Sequence, residues 1–163
     1  MIYKDFQGKK LSTLGMGAMR LPVIDGDDTK VDNDKVKEMV AYAMEKGVNY
    51  YDTAWGYHGG NSELAMGEAL SAYPRESFYL ADKFPGYDLS NMDKVEEIFE
   101  KQLEKCQVEY FDFYLFHNVC EMNIEQYLDE SHGIMDYLWK KKQNGRIKHL
   151  GFSVHGSFDV AQR

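Results

Sequence analysis

The segment Val48-Asn49-Tyr50-Tyr51-Asp52-Thr53-Ala54-Trp55-Gly56-Tyr57 sets the pattern for the whole chain. It starts directly after Gly47 on apolar and aromatic residues and runs into a Trp-Gly-Tyr loop, the boundaries of a short buried strand over Val48 to Asp52. The last residue of that strand is a carboxylate. The pattern recurs downstream: a strand from Ser77 to Lys83 after Pro74, a strand from Tyr110 to Phe116 followed by His117, and a strand from Ile147 to Phe152 followed by Ser153. Polar residues therefore stand at four successive strand ends, at intervals of 31, 34 and 36 residues. Upstream, Leu14 to Ala18 reads as a first strand, preceded by a hairpin from Ile2 to Leu14 with its turn near Gln7-Gly8-Lys9.

Helical periodicity fills the intervals. Asp32 caps a helix with Val36, Met39, Val40 and Ala43 on one face, and Gly47 stops it. Asn61 or Ser62 caps a second helix that buries Leu64 and Leu70, and Asn91 caps a third with Val95, Ile98, Phe99, Leu103 and Cys106 inward. A further helix from about Ile134 to Asn144 ends at Gly145. Alternating strands and helices specify a parallel sheet with right-handed crossovers, either a doubly wound open sheet or a β/α barrel. A complete eight-unit barrel takes roughly 250 residues, against 163 here. The even spacing of the polar strand ends nevertheless favours the barrel, whose active-site face is the C-terminal end of its strands.

Composition narrows the function. The chain is 44% hydrophobic and 28% charged, the balance of a globular protein. Its 19 Lys and Arg against 27 Asp and Glu give a net charge of −8, and no basic stripe could follow a phosphate backbone, so nucleic acid is not an expected partner. The basic run Lys140-Lys141-Lys142 falls at a predicted helix end, where cations suit the helix dipole. No apolar run approaches the ~20 residues of a membrane span, and Met1 to Asp5 contains no signal-like apolar core, which makes a cytoplasmic address the expectation. Cys106 and Cys120 have no metal-site spacing and read as free thiols.

Asp52, Tyr57, Lys83 and His117 together form a proton-delivery set. A tyrosine ionises only near pH 10 in water unless a cation stabilises its phenolate. Lys83 would supply that cation and Asp52 would hold the lysine charged and aimed. A histidine facing the same point would orient a carbonyl oxygen or share the proton transfer.

On these residues the sequence resembles the aldo-keto reductases. The resemblance is carried by Leu14-Gly15-Met16-Gly17-Ala18-Met19-Arg20, by Tyr51-Asp52-Thr53-Ala54-Trp55-Gly56-Tyr57, and by the run Ser62-Glu63-Leu64-Ala65-Met66-Gly67-Glu68-Ala69-Leu70. It continues in Lys83, in Phe116-His117 and in Gly145 to Ser153, and so covers essentially the whole chain. It implies a (β/α)8 barrel of the TIM type, here about its first five units, with residues 1–163 forming the N-terminal part of an NAD(P)H-dependent reductase domain. It further implies that Tyr57 is the general acid in reduction of an aldehyde or ketone, that Lys83 and Asp52 support it, and that His117 orients the substrate. Gly17, Ala18, Met19, Asp52 and Ser153 would contact NADPH or NADH, and Trp55 would line the substrate site. Where the family often has Asn after the serine, this chain has Val154, so a second amide contact is missing or comes from His155. No metal site is implied.

The later strands that hold the rest of the coenzyme in the family have no counterpart in these 163 residues. Coenzyme binding and turnover by this chain alone are accordingly expected to be weak, and open sheet edges are expected to promote self-association. Two other readings remain at this point: a non-catalytic partial barrel that binds a partner or a second copy, and a lyase forming a Schiff base on Lys83.

Overall fold

The computed structural model describes all residues from Met1 to Arg163. Strands β1 (Tyr3–Phe6) and β2 (Lys9–Ser12) form an antiparallel hairpin. Its two turn residues, Gln7 and Gly8, both have positive φ, the primed-turn geometry that matches the twist of the strands. The hairpin lies across one end of a second sheet, with the Phe6 ring 5.8 Å from Phe113 and 5.6 Å from His149.

That second sheet is the body of the molecule. Strands β3 (Met16–Gly17), β4 (Tyr50–Asp52), β5 (Tyr79–Phe84), β6 (Phe111–Val119) and β7 (Ile147–Val154) lie side by side in chain order. Every neighbouring pair is parallel. Helices α1 (Asn33–Glu45), α2 (Ser62–Leu70), α3 (Val95–Cys106) and α5 (Ile134–Gln143) make the return connections, with the short helices α4 (Ile124–Leu128) and α6 (Phe158–Gln162) beside β7. The strands β3 and β7 do not pair with each other, so five β/α units make an open arc of barrel. The barrel type and the five strands expected from the sequence are present.

Alternation along each strand divides the arc into two faces. Tyr51, Leu80, Phe84, Tyr114 and Phe116 point outward and join the helices in one hydrophobic core. The alternate residues, Asp52, Lys83 and His117, point to the inner face. Local chemistry sets the helix boundaries: the Asp32 carboxylate accepts from the Lys35 amide at the start of α1, and Gly47 follows that helix at φ +84°.

Several expected details differ. Asn91 caps no helix; it lies in a 3-10 turn, Leu89–Lys94, which the Asp88 carboxylate opens by accepting from the Ser90 amide, and α3 begins at Val95. Leu64 is 48% exposed, because α2 turns Ala65, Met66, Ala69 and Leu70 inward instead. Met39 is also exposed, since Val36 and Val40 alone fill the buried stripe of α1. Asn61 makes no side-chain cap on α2; its amide donates to the Thr29 carbonyl. The short helix α4 was not expected.

Candidate active site

The C-terminal ends of β4, β5, β6 and β7 bring Asp52, Lys83, His117 and Ser153 onto one side of the arc, and the loop after β4 brings Tyr57 over them. Lys83 is buried, and its Nζ donates to Asp52 Oδ1 at 2.6 Å and to the Thr53 carbonyl at 2.7 Å. The same Nζ lies 5.1 Å from the centroid of the Tyr57 ring.

Tyr57 faces His117 edge to face, with ring centroids 6.0 Å apart, and Tyr87 takes a second edge of the imidazole at 5.1 Å. His117 Nδ1 is buried and has no hydrogen-bond partner. Burial first, then the positive charge of Lys83, lowers the His117 pKa from 6.5 to about 4. At neutral pH the imidazole is uncharged, with one ring nitrogen able to donate and the other to accept. Its placement depends on the irregular end of β6: the register with β7 shifts between Phe116 and Val119, and Asn118 takes a positive φ of 56°.

Loop geometry positions Tyr57. His58, directly after it, is buried with φ 54°; its Nε2 accepts from the Leu21 amide at 2.9 Å and its Nδ1 lies 2.8 Å from the Asp28 carbonyl. One imidazole thus ties the Tyr57 loop to the segment after β3. Ser62 adds a second tie, with its hydroxyl 2.9 Å from Thr53 Oγ1 and donating to the Ala18 carbonyl at 3.0 Å. Sequence reasoning missed His58, Thr53 and Ser62 as supports of the site. Their positions beside Tyr57 and in the Ser-Glu run were the only signal.

The residues expected to contact a nicotinamide divide into two groups. Gly17 lies opposite Asp52 in the β3–β4 register, and a Cβ built on it meets no atom within 4 Å, which leaves open space at the inner face. Met19 is exposed nearby. The Ser153 hydroxyl accepts from the Asn118 amide at 2.8 Å, leaving its own O–H free to donate to a carboxamide. This donor set and open space fit a nicotinamide ring. Ala18 does not join it: its side chain is fully buried, its N–H donates to the Asp52 carbonyl, and its carbonyl takes Ser62. Trp55, in the loop before Tyr57, is half-buried, while His155 is exposed.

The profile of the Aldo/keto reductase family matches residues 13–163. The chain belongs to the aldo/keto reductase family. Among curated relatives, a probable aldo-keto reductase 1 of Glycine max is 32% identical over 161 residues, covering 90% of this chain and 42% of that protein. The L-galactose dehydrogenase of Arabidopsis thaliana is 30% identical over 152 residues, covering 90% of this chain and 46% of that protein. The chain therefore spans less than half the length of these two aldo-keto reductase relatives. Among solved structures, the holo form of an aldo-keto reductase from Bacillus halodurans superposes with a TM-score of 0.71 at 25% identity, covering 91% of this chain and 48% of that one. No helix is long and apolar enough to cross a membrane.

Proposed function

We propose that this chain carries the proton-donating part of an aldo-keto reductase site that reduces a small aldehyde or ketone to an alcohol. The observation that carries the reading is the Asp52–Lys83–Tyr57 arrangement: a buried ammonium, held by a carboxylate and a carbonyl, next to a tyrosine ring at the open end of the strands. Tyr57 donates its phenolic proton to the carbonyl oxygen, and Lys83 stabilises the phenolate left behind. Asp52 and the Thr53 carbonyl keep the lysine charged and aimed. His117, uncharged, orients the substrate oxygen without competing as an acid. NADPH or NADH supplies the hydride when bound, and Gly17, Met19, Asp52 and Ser153 are the residues that would hold its nicotinamide.

Because the chain spans less than half the length of its plant relatives, weak coenzyme affinity and slow turnover are expected of these residues alone. The test is relative: reduction of a small aldehyde, followed by loss of nicotinamide absorbance, should fall about 10²- to 10⁴-fold in Tyr57→Phe. Equal rates in the two proteins would overturn the assignment. The Schiff-base reading is disfavoured because Lys83 Nζ is engaged by the Asp52 carboxylate and the Thr53 carbonyl rather than left free in an apolar pocket.

A second reading, compatible with the first, concerns assembly. The outer edge of β7 is unpaired, and Phe152, Val154, Trp139 and Phe158 are exposed around it. Such an edge binds another strand. Association with a second copy should grow with concentration in sedimentation and weaken in Phe152→Lys. A monomer at every concentration would refute it.

A further inference from the structure

The Ser62 to Leu70 run contains one residue that the proposed chemistry does not use. Glu63 is a carboxylate with no exposed surface, on a helix whose other buried side chains are mostly apolar. A buried charge must be paired and hydrogen-bonded to be tolerated, and two partners of Glu63, Gln102 and Lys105, lead toward the candidate site. Its Oε1 accepts from Gln102 Nε2 at 3.0 Å, and the same Nε2 donates to the backbone carbonyl of Lys83 at 3.0 Å. Gln102 is held in turn by the Tyr114 hydroxyl, which donates to its Oε1 at 2.5 Å. The other oxygen of Glu63, Oε2, takes the ammonium of Lys105.

Lys105 ends this chain of contacts under the catalytic loop. Its Nζ lies 4.7 Å from the centroid of the Trp55 ring, and 3.5 Å from where a Cβ on Gly60 would stand. Trp55 and Gly60 bracket Tyr57. A closely spaced helix pair makes the reach short enough: a Cβ on Gly67 of α2 would stand 2.8 Å from the backbone carbon of Cys106 on α3. Apolar pairs of similar volume often pack as stably as a buried ion pair, so stability alone is a weak account of this one. What it adds is a cation directed onto the face of a loop tryptophan.

We propose that Lys105, anchored by Glu63 and Gln102 to the strand that carries Lys83, is a positioning residue that sets the place of the Trp55 ring as a wall of the substrate site. The inference rests on the reading of Trp55 as part of that site, and it assigns the specificity of the loop to a contact on its outer side. A substrate carbonyl approaching Tyr57 passes a ring whose position is fixed relative to Lys83, because both are tied to Gln102 and Glu63.

The chain has two tryptophans, so Trp139→Phe leaves Trp55 as the only tryptophan, read by excitation at the red edge where tyrosine does not absorb. In that background, Lys105→Met keeps the stem and removes the cation, Lys105→Arg keeps the cation, and Glu63→Gln releases the anchor. Lys105→Met should shift Trp55 emission and raise its acrylamide quenching about twofold or more, and Lys105→Arg should restore both. Glu63→Gln should move in the same direction as Lys105→Met. In turnover, Lys105→Met should raise KM for the aldehyde roughly 3- to 10-fold with kcat within about twofold. Unchanged emission and quenching in a folded Lys105→Met protein would overturn the proposal, as would a fall in kcat at constant KM. If no Tyr57-dependent turnover exists, the proposed reductase reading fails, while the emission comparison still decides whether Lys105 places the ring.

Discussion

Lys83 Nζ meets Asp52 Oδ1 at 2.6 Å across two neighbouring parallel strands, 31 residues apart in sequence. The lysine is almost wholly inside, whereas Asp52 keeps a solvated edge. Removing the carboxylate charge with Asp52→Asn leaves Lys83 with the Thr53 carbonyl as its remaining strong acceptor. The expected loss of unfolding free energy is about 1 to 3 kcal/mol, reduced from the fully buried case by the exposed edge. The double substitution Asp52→Asn with Lys83→Met should recover part of that stability, because no buried charge is left unpaired, while turnover stays lost. Urea unfolding of the four proteins of the cycle measures this; additive losses would show that the pair is not coupled.

His117 gives the site a pH signature of definite sign. Its folded pKa, about 4, lies below the ordinary value of 6.5. Between these values the unfolded chain binds more protons than the native one, so stability falls as pH drops from about 6.5 to 4 and levels off below. The effect is about 2 kcal/mol once solvent screening of the partly exposed ring is allowed for. His117→Gln should flatten this part of the stability–pH curve. An unchanged slope in the variant would place its origin in other groups.

The residues that make this site are unevenly visible in a sequence. Asp52, Lys83, His117 and Ser153 can be read directly because each ends a strand of a regular β/α repeat, and the strand period of two then puts them on one face. The hairpin turn is equally plain, since Gln7-Gly8 must take positive φ. Leu64 and Met39 misled because a helical stripe shows which residues share a face but not which face meets the sheet. On α2 the close approach of α3 falls at Gly67, and of the two leucines that periodicity placed inside, Leu70 is buried while Leu64 lies outside. Glu63 comes from α2 and Gln102 and Lys105 from α3, the helices of successive β/α units, so nothing local marks Glu63 as the partner of the other two. Ala18 looked like a coenzyme contact from its motif, yet strand pairing and Ser62 occupy both its backbone groups.

Asp82 offers a test on the outer face of the same strand. It is fully buried beside Cys106, and burial, followed by the charge of Glu63, pushes its carboxyl well up from the usual aspartate range. A carboxyl raised in the folded state binds protons more tightly than in the unfolded chain, so its contribution to stability is complete below about pH 4 and declines as pH rises above that value. Asp82→Asn keeps the oxygen that accepts from the Lys83 amide and removes the titration. The variant should therefore be at least as stable as the native chain at pH 7, and gain relative to it as pH rises. A variant destabilised at pH 7 would show that the ionised carboxylate is the form the fold uses.

Two glycines in the family-like motifs should respond in opposite ways to the same added methyl group. At Gly67, a Cβ would run into the backbone of Lys105 and Cys106, where no side-chain rotation relieves the clash. Gly67→Ala should destabilise the chain by about 1 to 3 kcal/mol from overpacking, against the roughly 1 kcal/mol that alanine would gain in an unhindered helix. Forcing α2 from α3 also pulls Glu63 from Lys105, so the Trp55 emission of the Trp139→Phe background should shift with it. At Gly17 the same methyl meets nothing within 4 Å, and stability should change by less than about 0.5 kcal/mol. Its effect should appear instead as weaker binding of NADPH, because the methyl enters the space opposite Asp52 where the nicotinamide is proposed to lie. Calorimetric titration with NADPH separates the two: an affinity that falls in Gly17→Ala at unchanged unfolding free energy supports the coenzyme assignment, and an unchanged affinity removes Gly17 from it.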